Sequence, residues 1–266
     1  FHMAYNSYPV IEKGIVGIEL AESGLLCKSL NINNIKSSQY DEEYPIYAGK
    51  TSKASNHYNQ TIFEFQETNG KGRQFQVIFR LFNDGAAYRI IVPNQDGIKN
   101  YNVKNEQNAI RFPDETVFWT LHLESYTTNY EKPFFKRNYD EINTDTTLIG
   151  LPLTFKIGEN VKGTFTEANL TNYAGMYLKK SDDDSTFYSV LSPHPSNENI
   201  AVKLDGEVVT PWRLVMVSDK ALNLIGSNTI TNLNEPCVLK ETSWIKPGKS
   251  AWDWWNYQTI PEDAGF

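Results

Sequence analysis

The chain has 266 residues, of which 40% are hydrophobic and 13% aromatic, and carries a formal net charge of −7. That length suffices for one large all-β domain or two smaller ones, with a core that needs no disulfide or metal staple. The acidic balance, scattered lysines and lack of a basic stripe argue against a nucleic-acid partner, and no run of 18 apolar residues is present to span a membrane as a helix.

Phe1-His2-Met3 opens the chain without an apolar signal segment. Strand patterns follow. The stretch from Ile15 to Leu20 is rich in β-branched residues, and that from Thr61 to Gln66 alternates apolar and polar with a period of two. Apolar runs from Phe75 to Phe82 and from Ala87 to Val92 flank Asn83-Asp84-Gly85, a strong hairpin signal. Two more runs, Leu153 to Ile157 and Val161 to Thr166, flank Gly158-Glu159-Asn160. The pattern predicts another strand from Phe187 to Leu191. A further hairpin is expected around Asp205-Gly206, joining Ala201–Leu204 to Val208-Val209, and a strand from Trp212 to Val217.

At least ten short strands separated by turn residues define an all-β sandwich or barrel, mostly antiparallel. Helix is scarce: a short one is predicted from Ser218, with Asp219 in its first turn, to Gly226. Arg137 to Thr147 reads as a polar loop. Val238 to Trp244 is strand-like, and Pro247-Gly248 then breaks the pattern. A boundary near here separates residues 1–243, one sandwich domain, from 244–266, a linker and the opening of a second domain.

Few side chains present themselves for chemistry. Cys27 and Cys237 form no C-x-x-C pair; each reads as a small buried residue, with a long-range bridge as the alternative. His2, His57, His122 and His194 never fall at metal-ligand spacing. His194, in Ser192-Pro193-His194-Pro195, reads as a solvated or backbone-bonded loop residue. Asp182-Asp183-Asp184 lacks the alternating spacing of calcium loops and reads as a solvated hairpin turn. Glu167, at the end of an apolar strand, is by itself an ordinary surface carboxylate.

Three of six tryptophans fall in Ser250-Ala251-Trp252-Asp253-Trp254-Trp255-Asn256. In a strand, Trp252 and Trp254 share one face while Asp253 and Trp255 share the other. Two indoles beside an acid and Asn256 suit a sugar ring, whose C–H face stacks while its hydroxyls take hydrogen bonds. Packing of an inter-domain hinge is the alternative.

The stretch Trp244-Ile245-Lys246-Pro247-Gly248-Lys249-Ser250-Ala251-Trp252-Asp253-Trp254-Trp255-Asn256 resembles the entry to the catalytic barrel of glycoside hydrolase family 97. Thr166-Glu167-Ala168-Asn169-Leu170, Tyr173-Ala174-Gly175-Met176-Tyr177 and Thr210-Pro211-Trp212-Arg213-Leu214-Val215-Met216-Val217 resemble that family's N-terminal domain. The resemblance covers nearly the whole chain. It implies a large β-super-sandwich of the galactose mutarotase type, packed on a (β/α)8 barrel that begins in the last residues and continues past Phe266. It also implies an exo-acting, calcium-dependent α-glycosidase, either an α-glucosidase or an α-galactosidase, periplasmic or secreted in a bacterium. Glu167 is then a calcium ligand, Trp252 to Asn256 lie at the substrate rim of the barrel, and the catalytic carboxylates lie beyond this chain. A non-catalytic carbohydrate-binding module and a stand-alone mutarotase are the competing readings.

Overall fold

A computed structural model describes residues 1–250 apart from 70, 99, 143–147 and 183. The tail from Trp252 to Asn256 lies outside the described residues. In chain order the strands are β1 (Met3–Tyr5), β2 (Tyr8–Ile11), β3 (Lys13–Ile15), β4 (Ile18–Leu20), β5 (Gly24–Leu26), β6 (Leu30–Pro45) and β7 (Lys53–Glu67). They continue with β8 (Gln74–Phe82), β9 (Gly85–Val92), β10 (Val103–Glu106), β11 (Ala109–Arg111), β12 (Val117–Leu123) and β13 (Phe135–Asn138). The last are β14 (Leu148–Ile157), β15 (Val161–Ala168), β16 (Met176–Lys180), β17 (Thr186–Leu191), β18 (Val208–Val209) and β19 (Trp212–Ser218). Two short helices follow, α1 (Ala221–Gly226) and α2 (Thr229–Asn232).

One sheet of 14 strands carries the fold, in the order β3-β11-β17-β16-β14-β15-β19-β9-β8-β7-β6, with β12, β13 and β18 added alongside. A three-stranded sheet, β10-β4-β5, and the β1–β2 pair complete it. The architecture is the all-β sandwich expected from the strand count and the aromatic load. Period-two alternation decides which face each strand shows. In β8, Phe75 and Val77 point into the main core while Ile78 joins a second cluster on the other face with Ala87, Ala168, Trp212, Leu214, Met216 and Leu233. β19 is buried along its whole length because both of its faces are covered.

The sheet needs close backbone approach at one point. A Cβ on Gly163 would lie 2.3 Å from Cζ of Phe155 and 2.7 Å from the carbonyl of Met216, so a larger residue there must displace the ring and the neighbouring backbone.

The β8–β9 and β14–β15 hairpins form as the turn residues predict. Other expectations are corrected. The stretch from Ile15 to Leu20 divides at Val16-Gly17, β3 joining the large sheet and β4 the small one. Ala201–Leu204 and Val208-Val209 do not pair with each other. Val202 bridges Val103, and β18 pairs with Ile91 and Val92 of β9, which offer a longer neighbour. Ser218 ends β19 rather than starting a helix; its hydroxyl accepts from the backbone N–H of Lys220, and α1 begins at Ala221.

Part of the segment read as loop is ordered. Arg137 and Asn138 end β13, and a 3-10 turn, Tyr139–Glu141, buries Tyr139, whose hydroxyl donates to the carbonyls of Thr186 (2.7 Å) and Ser181 (2.9 Å). Residues 143–147 lie outside the described residues. Val238 to Trp244 is not a strand: it finds no sheet edge, and Val238 is 91% exposed. Cys27 and Cys237 are unbridged, the first half-buried and the second exposed. Asp182 and Asp184 occupy the turn between β16 and β17, while Asp183 is outside the described residues.

Candidate functional site

Antiparallel register sets Glu167 of β15 opposite Arg213 of β19, and Arg213 opposite Tyr88 of β9. Alternation points all three toward the interior. Glu106, at the end of β10, comes in from the small sheet. Arg213 donates from Nε to Oε2 of Glu106 at 2.9 Å and from Nη2 to Oε1 at 2.5 Å, a two-point clamp. Its Nη1 donates to Oε2 of Glu167. Asn108 adds a donor to Oε2 of Glu106 at 2.5 Å. Buried charges persist only when paired in this way.

The side chain of Arg213 is fully buried and that of Glu106 is 1% exposed, whereas that of Glu167 is 16% exposed. The three groups therefore differ in role. Glu106 is sealed in the interior and spent on Arg213. Glu167 uses one oxygen on Arg213; among the described residues its other, Oε1, accepts one long contact of 3.4 Å, from the backbone N–H of Met176. Gly175 lies beside that oxygen, with a hypothetical Cβ 4.0 Å away. Gly175 also lines an open cleft of about 690 Å³ with Tyr173, Pro193, His194, Lys203 and Asp205.

Two carboxylates and one guanidinium leave the cluster with a surplus negative charge. Burial raises the Glu167 carboxyl above its ordinary value of 4.5, against the opposing pull of Arg213 and the Met176 N–H. Burial alone would lower the Arg213 guanidinium, but Glu106 and then Glu167 hold it above its ordinary value. Burial also pushes up the phenols of Tyr88 and Tyr173, each further raised by Glu106. Of the two carboxylates, Glu167 is the one whose balance changes most readily, because it meets solvent while Glu106 is sealed.

A calcium ion takes roughly six to eight oxygens, many from carboxylates. The weakly bonded Oε1 of Glu167 fits as one such oxygen, and the surplus charge around it favours a cation. Among the described residues no group of three or more His, Cys, Asp or Glu side chains converges on one point. Glu167 thus fits as a single contributor to a shell, not as the shell.

Sequence reasoning singled out Glu167 but missed Glu106 and Arg213. The signal was there: Arg213 interrupts Trp212-Arg213-Leu214-Val215-Met216-Val217, and an arginine in a fully apolar strand demands a buried acid. Which acid answers it is not readable, because Glu106 is 107 residues away. His194 is a loop residue as expected, its Nδ1 2.9 Å from the Ser196 hydroxyl. The expected rim residues Trp252, Asp253, Trp254, Trp255 and Asn256 lie outside the described residues.

The sandwich that carries this carboxylate–guanidinium cluster at the β15–β19 ends matches, over nearly its whole length, the N-terminal domain of a glycoside hydrolase family. The family model described as "Glycosyl-hydrolase 97 N-terminal" matches residues 1–236, and the chain belongs to glycoside hydrolase family 97. It is 28% identical over 280 aligned positions to a protein named retaining alpha-galactosidase from Bacteroides thetaiotaomicron, covering 96% of this chain and 41% of that one. A probable retaining alpha-galactosidase from Streptomyces bingchenggensis is 26% identical, over 92% of this chain and 36% of its own length. A family 97 enzyme from a Pseudoalteromonas strain, solved with acarbose and with panose, superposes with a TM-score of 0.87 at 27% identity over 96% of this chain and 38% of its own. The chain therefore spans about two fifths of the length of the relatives it matches.

Proposed function

We propose that this chain is the supporting domain of a calcium-dependent, exo-acting α-glycosidase. It packs against a catalytic (β/α)8 barrel that begins near residue 244 and lends Glu167 to a calcium shell completed by that barrel. The curated relatives are named for α-galactosides, so an α-galactoside is the substrate class we favour over an α-glucoside. Export to a bacterial periplasm or exterior goes with a glycosidase that meets free oligosaccharides.

The observation that carries this reading is the asymmetry of Glu167. One oxygen is fixed by Arg213, and the other accepts, among the described residues, a single long contact from the Met176 N–H. Calcium supplies a fixed positive charge for substrate or developing anionic oxygens when bound. The residues of this chain hold the first ligand in place: Arg213 orients Glu167, Glu106 fixes Arg213, and the surrounding sheet excludes water from both.

Glycoside hydrolysis also needs two carboxyl groups flanking the scissile bond. Glu106 and Glu167 do not meet that need, since both are clamped on one guanidinium and Glu106 is out of reach of any substrate. We assign that pair to the barrel. Trp252 to Asn256 are proposed as its first substrate-facing residues.

The test is hydrolysis of nitrophenyl α-galactoside and α-glucoside by this chain and by the same chain extended through its natural reading frame. Turnover only in the extended, calcium-loaded protein supports the reading. Turnover by the short chain, or none by the extended one, overturns it. Glycan binding by the short chain without turnover in either would favour a carbohydrate-binding module.

A further inference from the structure

On the face of the large sheet away from the main core, five planar side chains form a row. Tyr40 stacks on Tyr58 with centroids 5.1 Å apart, and Arg80 lies 4.4 Å over the Tyr58 ring. Arg80 is also 4.5 Å from the centroid of Trp212, and Arg89 is 4.3 Å from that same centroid. Each contact is a cation–π attraction, stronger for being half-desolvated. Together they press two like charges against one indole.

That arrangement is unbalanced. Arg73, Arg111 and Arg213 each pair with carboxylates, and Arg137 lies over the single ring of Phe135. Arg80 and Arg89 pair with none among the described residues, in a chain that carries 32 acidic side chains. Arg80 spends one donor, Nε, on Gln60 at 3.0 Å. The Arg89 guanidinium donates to no described residue, and its Nε is buried without a partner. Burial lowers both guanidiniums, and Arg80 lowers Arg89 further. A stacked guanidinium keeps its donor edge free, and that edge matches a carboxylate at two points.

The rings themselves are not a sugar platform. Trp212 is fully buried and Tyr58 is 7% exposed, so the stacked arginines already occupy the faces a sugar would need. What the row offers outward is guanidinium edges.

The route of the chain points to the occupant. Leu233 is buried in the same cluster as Trp212, and Asn232 is tied to Ser55 and Tyr44, so the polypeptide leaves the domain across this face. Glu235, the next acid, acts on both arginines at long range but forms no ion pair with either. After residue 250 the sequence carries Asp253, Glu262 and Asp263 and no lysine or arginine.

We infer that Arg80 and Arg89, held against Trp212, form a docking site for an acidic side chain of the polypeptide that follows residue 250, so that this face seats the next domain. The inference rests on the reading that a catalytic domain follows. It adds which face that domain meets and what chemistry it must present.

The experiment uses the enzyme extended through its reading frame, with Arg80→Lys/Arg89→Lys, which keeps charge and indole cover but removes the two-point fork, and with Arg80→Gln/Arg89→Gln. Chymotryptic cleavage within residues 234–250 is followed over time. We expect the parent to resist, added salt to speed its cleavage, and both variants to be cut about ten-fold faster. The control is a fragment of residues 1–250, which contains every buried core residue from Val10 to Leu233. Its melting temperature should be unchanged by the lysine pair. Cleavage of both variants at the parent's rate overturns the docking site, as does a fragment that loses as much stability as the whole enzyme. A parent that hydrolyses α-galactoside while both variants resist cleavage keeps the functional reading and sinks this one.

Discussion

Arg213 binds both oxygens of Glu106, at 2.9 and 2.5 Å, and reaches Glu167 with its remaining nitrogen, so one buried guanidinium ties the end of β10 to the end of β15. Removing that centre leaves two acids facing each other in the interior. Arg213→Met should cost about 3–5 kcal/mol, as breaking buried pairs does. In a domain of this size that lowers the melting temperature by about 10 °C. Thermal unfolding followed by circular dichroism checks it, and a change under about 2 °C would show that the cluster contributes nothing to stability.

The pH dependence has a defined sign. Glu167 has its carboxyl raised by burial, so the folded state holds this proton more tightly than the unfolded chain does. Its contribution to stability is fully present below the ordinary value of 4.5 and is lost as pH rises through the raised value. Glu167→Gln removes this loss. The variant should gain stability relative to the parent on moving from acid to neutral pH in chelator, as read by denaturant midpoints. Parallel pH profiles for the two proteins would contradict it.

Gly163 offers a packing test. Its alanine variant places a methyl against Phe155 and the Met216 carbonyl, and should cost about 1–3 kcal/mol because backbone must shift. Gly226→Ala meets nothing within 4 Å and should be neutral or slightly stabilising. Denaturant midpoints of both variants beside the parent decide it. Equal effects at the two positions would mean that the β14–β15–β19 approach is looser than described.

Two free thiols are expected in the untreated chain. Cys237, exposed, should react first with a chromogenic thiol reagent, and Cys27 more slowly because burial raises its thiol. A mass two protons lower than the reduced chain, with no reactive thiol, would reinstate the bridge.

Much of the fold was legible because it is local. Period-two alternation and the turn residues at Asp84-Gly85 and Gly158-Glu159-Asn160 specify their own hairpins. The failures are where a strand chose a distant partner. Val208-Val209 had an adjacent run available yet paired with β9, and Val238 to Trp244 had strand composition but no edge to join. Glu167 was visible only through the family's motif, since its own neighbourhood reads as surface. Arg213 announces a buried acid, yet its partner Glu106 is fixed by how two sheets meet, which no short window contains.

Calcium titration of α-galactoside hydrolysis in the extended enzyme, parent beside Glu167→Gln, tests the central claim most directly. Loss of one hard oxygen from the shell should move half-activation to roughly ten-fold or more higher free calcium, with activity restored at saturation. Superimposable titration curves would show that Glu167 serves only Arg213 and holds no metal.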